Sequence, residues 1–221
     1  MIKKTLIAGY VLGLSFFSGM AQSPTFEWAT SIGAINYDYS YDIALDSAGN
    51  VYTTGYFQGT VDFDPGPGIF NLTTAGSGLF ISKLDPLGNL VWAKALSGTY
   101  SCKGHSLALD TNGNIYITGS FEGIIDFDPG TGIYNLTSVG ENNNAFACKL
   151  DAFGNFVWAK QMSGEGYCSG LSLAIDEAGN GDIYITGDFI ETVDFDPGSG
   201  IFNLTSVGDK TDIFISKLDA L

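Results

Sequence analysis

Apolar and polar residues alternate along most of this chain in short runs, the period of a half-buried β-strand. Ile115-Tyr116-Ile117-Thr118 and Val157-Trp158-Ala159-Lys160 are such runs, the second placing Trp and Lys on one face. No stretch of useful length carries the 3.6-residue period of an amphipathic helix. Between the runs stand turns of the form Asp-x-x-Gly-Asn, at 46–50, 85–89, 110–114, 151–155 and 176–180. There the Asp side chain caps its own turn, and Gly followed by Asn is expected to tolerate the positive φ of a tight hairpin.

The pattern recurs as three tandem copies, about 26–90, 91–156 and 157–221. Each opens on a tryptophan (Trp28, Trp92, Trp158), and 18 residues separate it from the Asp of the next turn (Asp46, Asp110, Asp176). Four main strands are expected per copy. In the second they are Ser106–Asp110, Asn114–Phe121, Ala145–Asp151 and Phe156–Met162, with Asp126–Ser138 as an extra hairpin or long loop. The third copy has two extra residues, Gly181-Asp182, in a turn, where insertions are tolerated. Tandem four-stranded units with aromatic residues and turn glycines at fixed places predict an all-β, propeller-like fold of three four-stranded blades, an incomplete propeller. A β-helix is the second choice, but its rungs are usually much shorter. The motif D-x-x-G-N-x-Y-x-T-G, followed by F-x-x-K-L-D-x-x-G-N-x-V-W-A-K, resembles the secreted β-propeller repeats called SBBP repeats over roughly residues 26–221. The D-F-D-P-G-x-G element resembles a subgroup found in large exported proteins of Gram-negative bacteria. The resemblance implies a repeat module acting at or outside the cell surface.

Residues 1–21 read as a signal peptide: Lys3 and Lys4, an apolar run from Leu6 to Phe17, and small residues before a cut after Ala21. That run is short for a bilayer span, which needs about 20 residues, so no stable membrane span is expected. The formal charge is −15, and there is no arginine. Nucleic-acid and phosphate binders rely on basic clusters and guanidinium forks, so neither partner is expected. Three cysteines make no disulfide framework. Cys102 and Cys168 hold equivalent places and are expected to be unpaired and partly buried, and Cys148 stands where other copies have Ser82 and Ser216.

The candidate chemistry lies in the D-F-D-P-G pairs Asp62/Asp64, Asp126/Asp128 and Asp194/Asp196. Two readings stand. In the first, the carboxylates cap a Pro-Gly turn and the intervening Phe points into the core. In the second they bind Ca²⁺, which takes six to eight oxygens. A catalytic carboxylate pair occurs once, where substrate binds, whereas these recur in every copy. Glu122, Glu141, Glu165, Glu177 and Glu191 read as scattered loop residues, and Asn71, Asn135 and Asn203 as strand starts rather than glycosylation sites. His105, the only histidine, aligns with Tyr41 and Leu171, which argues against zinc. The tryptophans are expected between blades. No catalytic residue is assigned, and the expected role is non-enzymatic: binding a protein or glycan ligand, adhesion or scaffolding. The alternatives are a fragment of a hydrolytic propeller or a structural spacer. Propellers have four to eight blades, so truncation of a longer protein is expected, and the alternative is a homodimer completing a six-bladed ring.

Overall fold

The computed structural model describes residues 23–176 and 181–219, so the signal-peptide assignment and Glu177 lie outside the described residues. Fifteen strands and no helix are found among them, and they form successive antiparallel meanders. The first unit is β1 (Tyr39–Leu45), β2 (Val51–Asp62), β3 (Asn71–Leu84) and β4 (Leu90–Gly98). In the second, β5 (Ser101–Leu109), β6 (Ile115–Glu122), β9 (Asn144–Leu150) and β10 (Phe156–Met162) pair in that order. The third contains β11 (Cys168–Ile175), β12 (Ile183–Phe189) and β15 (Asp212–Leu218), three strands among the described residues. The inserted segment is a hairpin. It is free-standing as β7 (Ile124–Asp126) with β8 (Asn135–Thr137), and as β13 (Thr192–Asp194) with β14 (Asn203–Thr205). In the first unit it is the far end of β2 and β3.

Why these residues pair in this way follows from the turns. Asp110 Oδ1 accepts from the N–H groups of Asn112 and Asn114, both at 2.9 Å, and its Oδ2 accepts from Asn114 Nδ2 at 2.7 Å. Asp46, Asp85 and Asp151 do the same. Gly113 takes φ 78°, but no turn asparagine has positive φ among the described residues. Asparagine is therefore required for its side-chain amide rather than for left-handed backbone, a correction to the sequence reading.

The units stack face to face, and most of the core lies between them. Leu79, Ile81 and Leu96 of the first unit join Leu107, Ile117 and Phe121 of the second in one buried cluster. Ala145, Ala147 and Met162 of the second join Ile185, Phe189 and Phe214 of the third. Inside each unit three phenylalanines meet: Phe57/Phe63/Phe80, Phe121/Phe127/Phe146 and Phe189/Phe195/Phe214, with centroids 4.8–6.3 Å apart. Their edge-to-face and tilted geometry suits the ring quadrupole. The leading strands of successive units are tied together. Asp42 Oδ2 accepts from Ser106 Oγ (2.8 Å) and Leu107 N (2.9 Å), and Ser106 Oγ accepts from Leu173 N (3.3 Å).

The sequence repeat and the sheet are out of step by one strand. Trp92 opens the second sequence repeat but lies in β4, the last strand of the first sheet; Trp158 lies likewise in β10. Moreover, each free-standing hairpin reaches back to the preceding unit: Ser97 pairs with Asp126, Gly98 with Ile125, and Ser163 with Asp194.

Candidate interaction surface

The hairpins present the same construction three times. Asp62 Oδ1 accepts from Asp64 N (3.0 Å) and Phe70 N (2.8 Å), closing the loop, and Asp64 Oδ1 accepts from Gly66 N (2.7 Å). Asp126 and Asp128 repeat these bonds to Asp128, Tyr134 and Gly130, and Asp194 and Asp196 to Asp196, Phe202 and Gly198, at the same distances. The intervening Phe63, Phe127 and Phe195 are buried. The six acids are half-buried, and in each the Oδ1 atom is committed to backbone N–H groups. No group of three or more His, Cys, Asp or Glu with metal-holding geometry occurs among the described residues. Asn71, Asn135 and Asn203 begin β3, β8 and β14.

Sequence reasoning passed over what these hairpins carry at their tips. Ile69, Ile133 and Ile201 are 78%, 77% and 77% exposed. Each precedes an aromatic residue, Phe70, Tyr134 or Phe202, that is itself on the surface. Fixed polar caps and one open isoleucine, repeated per unit, make three equivalent apolar contact points. The signal was the invariant Ile after Pro-Gly-x-Gly in all three copies.

The other conspicuous side chains have internal partners. Lys83, Lys149 and Lys217 lie over the Tyr52, Tyr116 and Tyr184 rings at 4.8, 4.8 and 5.4 Å. Lys83 also reaches Asp46 at 3.4 Å, and Lys217 meets Asp182, from the two-residue insertion, at 2.6 Å. Burial alone pushes the Asp46 carboxyl up, but hydrogen bonds from Asn50 and Ala48 and the Lys83 ammonium outweigh it and hold it at about 2. Trp92 reaches from the first unit to the Gly154 turn of the second, and Trp28 sits on the Gly88 turn of the first. A Cβ on Gly88 would stand 3.3 Å from the Trp28 ring, and one on Gly154 3.3 Å from the Trp92 ring. Trp28 Nε1 also donates to Pro86 O at 3.1 Å.

His105 is a packing residue. Its Nδ1 lies 3.0 Å from Gly170 O and 3.2 Å from Ser169 Oγ, and its ring meets the edge of Tyr41 with centroids 5.2 Å apart. Burial, aided by the Lys103 charge, lowers its pKa against the opposing pull of the Gly170 carbonyl. All three cysteines are free and fully buried, Cys102 and Cys168 more so than the partial burial expected of them. Burial raises every thiol, that of Cys168 to about 12, so none is a nucleophile at neutral pH. Glu191 has φ 65° where the second unit has Gly123; it closes a turn through its N–H to Ser206 Oγ at 2.8 Å.

Residues 27–56 and 91–120 match the family model of the SBBP beta-propeller repeat. Each SBBP match runs from the segment holding the Trp through the Asp-x-x-Gly-Asn turn into the Y-x-T-G strand, so the two lie at equivalent places. Together with the stacked meanders they make this an all-β, propeller-like repeat protein. The chain is also similar to an uncharacterized WD repeat-containing protein of Acanthamoeba polyphaga mimivirus. The two are 32% identical over 157 residues, 66% of this chain and 11% of that relative, so the chain spans a small part of the relative's length. No helix among the described residues is long and apolar enough to cross a membrane.

Proposed function

We propose that this chain is an exported, non-enzymatic repeat module that binds a protein or glycan ligand at or outside the cell surface. The observation that carries this reading is the repeated hairpin tip: Ile69, Ile133 and Ile201 recur at the same place in each copy and stay open to solvent, while the acids beside them close the loop. A surface that repeats with the architecture suits an extended ligand that makes one weak contact per unit, since linked contacts multiply affinity. A catalytic centre breaks the repeat, and the hairpin acids follow it instead. The D-F-D-P-G element and the apolar segment from Leu6 to Phe17 support export as part of a larger surface protein.

The test is a glycan and matrix-protein array probed with the signal-free chain. Discrete ligands are expected, and the Ile69→Ser/Ile133→Ser/Ile201→Ser variant loses them with its circular dichroism unchanged. Absence of any retained ligand reduces the chain to a spacer. Export is tested by fractionating cells that express the complete chain, and Leu12→Asp is expected to hold it in the cytoplasm.

A further inference from the structure

Four tyrosines of the first copy break the repeat and meet in one place. Tyr39 in β1 stands directly opposite Tyr56 in β2, and their rings stack with centroids 5.3 Å apart and planes 24° from parallel. Tyr37 stacks on Tyr39 at 6.2 Å, and Tyr41 leans on Tyr56 at 6.0 Å. From the second unit, Lys103 Nζ sits 5.0 Å over the Tyr56 ring, and His105 meets the edge of Tyr41. All these contacts lie inside the first unit or at its boundary with the second. Tyr37, Tyr39 and Tyr41 are open to solvent, and Tyr56 is half-buried.

The fold does not call for this cluster. The opposed pair equivalent to Tyr39 and Tyr56 is Lys103 and Ser120 in the second unit, and Ser169 and Asp188 in the third. Those units pair the same strands in the same register, bulge included, with no aromatic residue at either place. Elsewhere tyrosine rings meet other side chains: Tyr52 faces Trp92, Tyr116 faces Trp158 and Tyr134 packs on Phe156. Among the described residues, phenol stacks on phenol in this cluster alone.

We propose that Tyr39 and Tyr56 form an oxidative coupling site, which takes a one-electron oxidant of the peroxide-charged haem peroxidase class and closes a dityrosine bond between β1 and β2. Each phenol gives up one electron and its hydroxyl proton. The two radicals join through ring carbons beside the hydroxyls. The hydrogen on each of those carbons then moves to the phenoxyl oxygen, which restores both rings. With hydrogen peroxide as the final acceptor, two phenols and one peroxide give one carbon–carbon bond and two waters. Strand register does the positioning, since directly opposed residues hold their Cβ atoms about 4.5–5.5 Å apart. Holding the two rings together makes the coupling unimolecular, which favours it over links between chains. Covalent cross-links of oxidative origin belong to exported proteins, and here every thiol is buried and free. The supply of oxidant rests on the export proposed above; the coupling itself does not.

The signal-free protein, treated with a haem peroxidase and hydrogen peroxide, is expected to show dityrosine fluorescence in the monomer band and to lose two hydrogens in mass. Cleavage before aspartates separates Tyr39, in residues 38–41, from Tyr56, in residues 46–61, and these two peptides are expected to be joined. Tyr39→Phe and Tyr56→Phe keep the ring and remove the hydroxyl, and each is expected to cut the monomer yield by about tenfold or more. Tyr41→Phe is expected to leave it unchanged. In urea the preference for this pair is expected to vanish. Links between chains only, an undiminished monomer yield from Tyr39→Phe or Tyr56→Phe, or the same pair joined equally well in urea overturns the inference. A chain that fractionates to the cytoplasm yet couples when purified would defeat the export reading and leave the coupling site standing.

Discussion

The boundary between the first two units and the outer face of the third are built from the same positions and have opposite fates. Leu79 and Ile81 disappear beneath the second unit, while Ile213 and Ile215, of similar size and equally apolar, stand in solvent. The residues are not what differs; the neighbour is. A sheet of this kind has two apolar faces and satisfies neither alone, so burial here belongs to the stack rather than to the unit.

The largest effect should come from testing that contrast directly. Leu79→Ala is expected to cost about 2–5 kcal/mol through lost transfer energy and the cavity left behind. Ile213→Ala, at a position already open to solvent, should stay within about 0.5 kcal/mol by urea denaturation. Equal costs would mean that the two faces are equally covered. Next comes the fit between units: a Cβ on Gly170 would collide with the Thr118 hydroxyl, which donates to Phe146 O at 2.7 Å. Gly170→Ala should therefore destabilise by about 1–3 kcal/mol through overpacking, readable as a lower urea midpoint. The turns are a smaller contribution. Asp46→Ala is expected to cost about 1 kcal/mol in lost hydrogen bonds. Because the Asp46 carboxyl titrates lower in the folded chain than in the unfolded one, that contribution is complete above about pH 4 and fades as pH falls through about 2. Urea melts of both proteins should converge in acid. The smallest effect concerns the hairpin acids, whose Oδ1 atoms cap backbone in every unit, the exposed third included. The melting temperature is expected not to move between excess EDTA and millimolar Ca²⁺; a rise would assign the Asp62/Asp64-type pairs to calcium.

Much of this architecture was legible before any coordinates. Alternation gave the strands, Asp-x-x-Gly-Asn marked the turns, and the Phe of D-F-D-P-G was expected in the core. These are local signals, read within about ten residues. What escaped depends on partners far away in sequence. The pairing of Ser97 with Asp126 links the end of one unit to the hairpin of the next. Gly104 and Gly170, each two residues after a cysteine, are small because Thr54 and Thr118 of the preceding unit press against them. The turn asparagines were read for their backbone when their amides were what the fold used. In the candidate surface the acids drew attention by charge, and their Oδ1 atoms close the loop, while the plain isoleucine beside them was passed over.

The one-strand offset between repeat and sheet also bears on inheritance. A duplicated stretch that begins at one tryptophan and ends before the next contributes a strand completing the sheet behind it and three strands that await completion. Inserting such a stretch leaves every junction between neighbouring copies as it was. A lineage can therefore lengthen or shorten the array by whole copies without inventing a new junction each time.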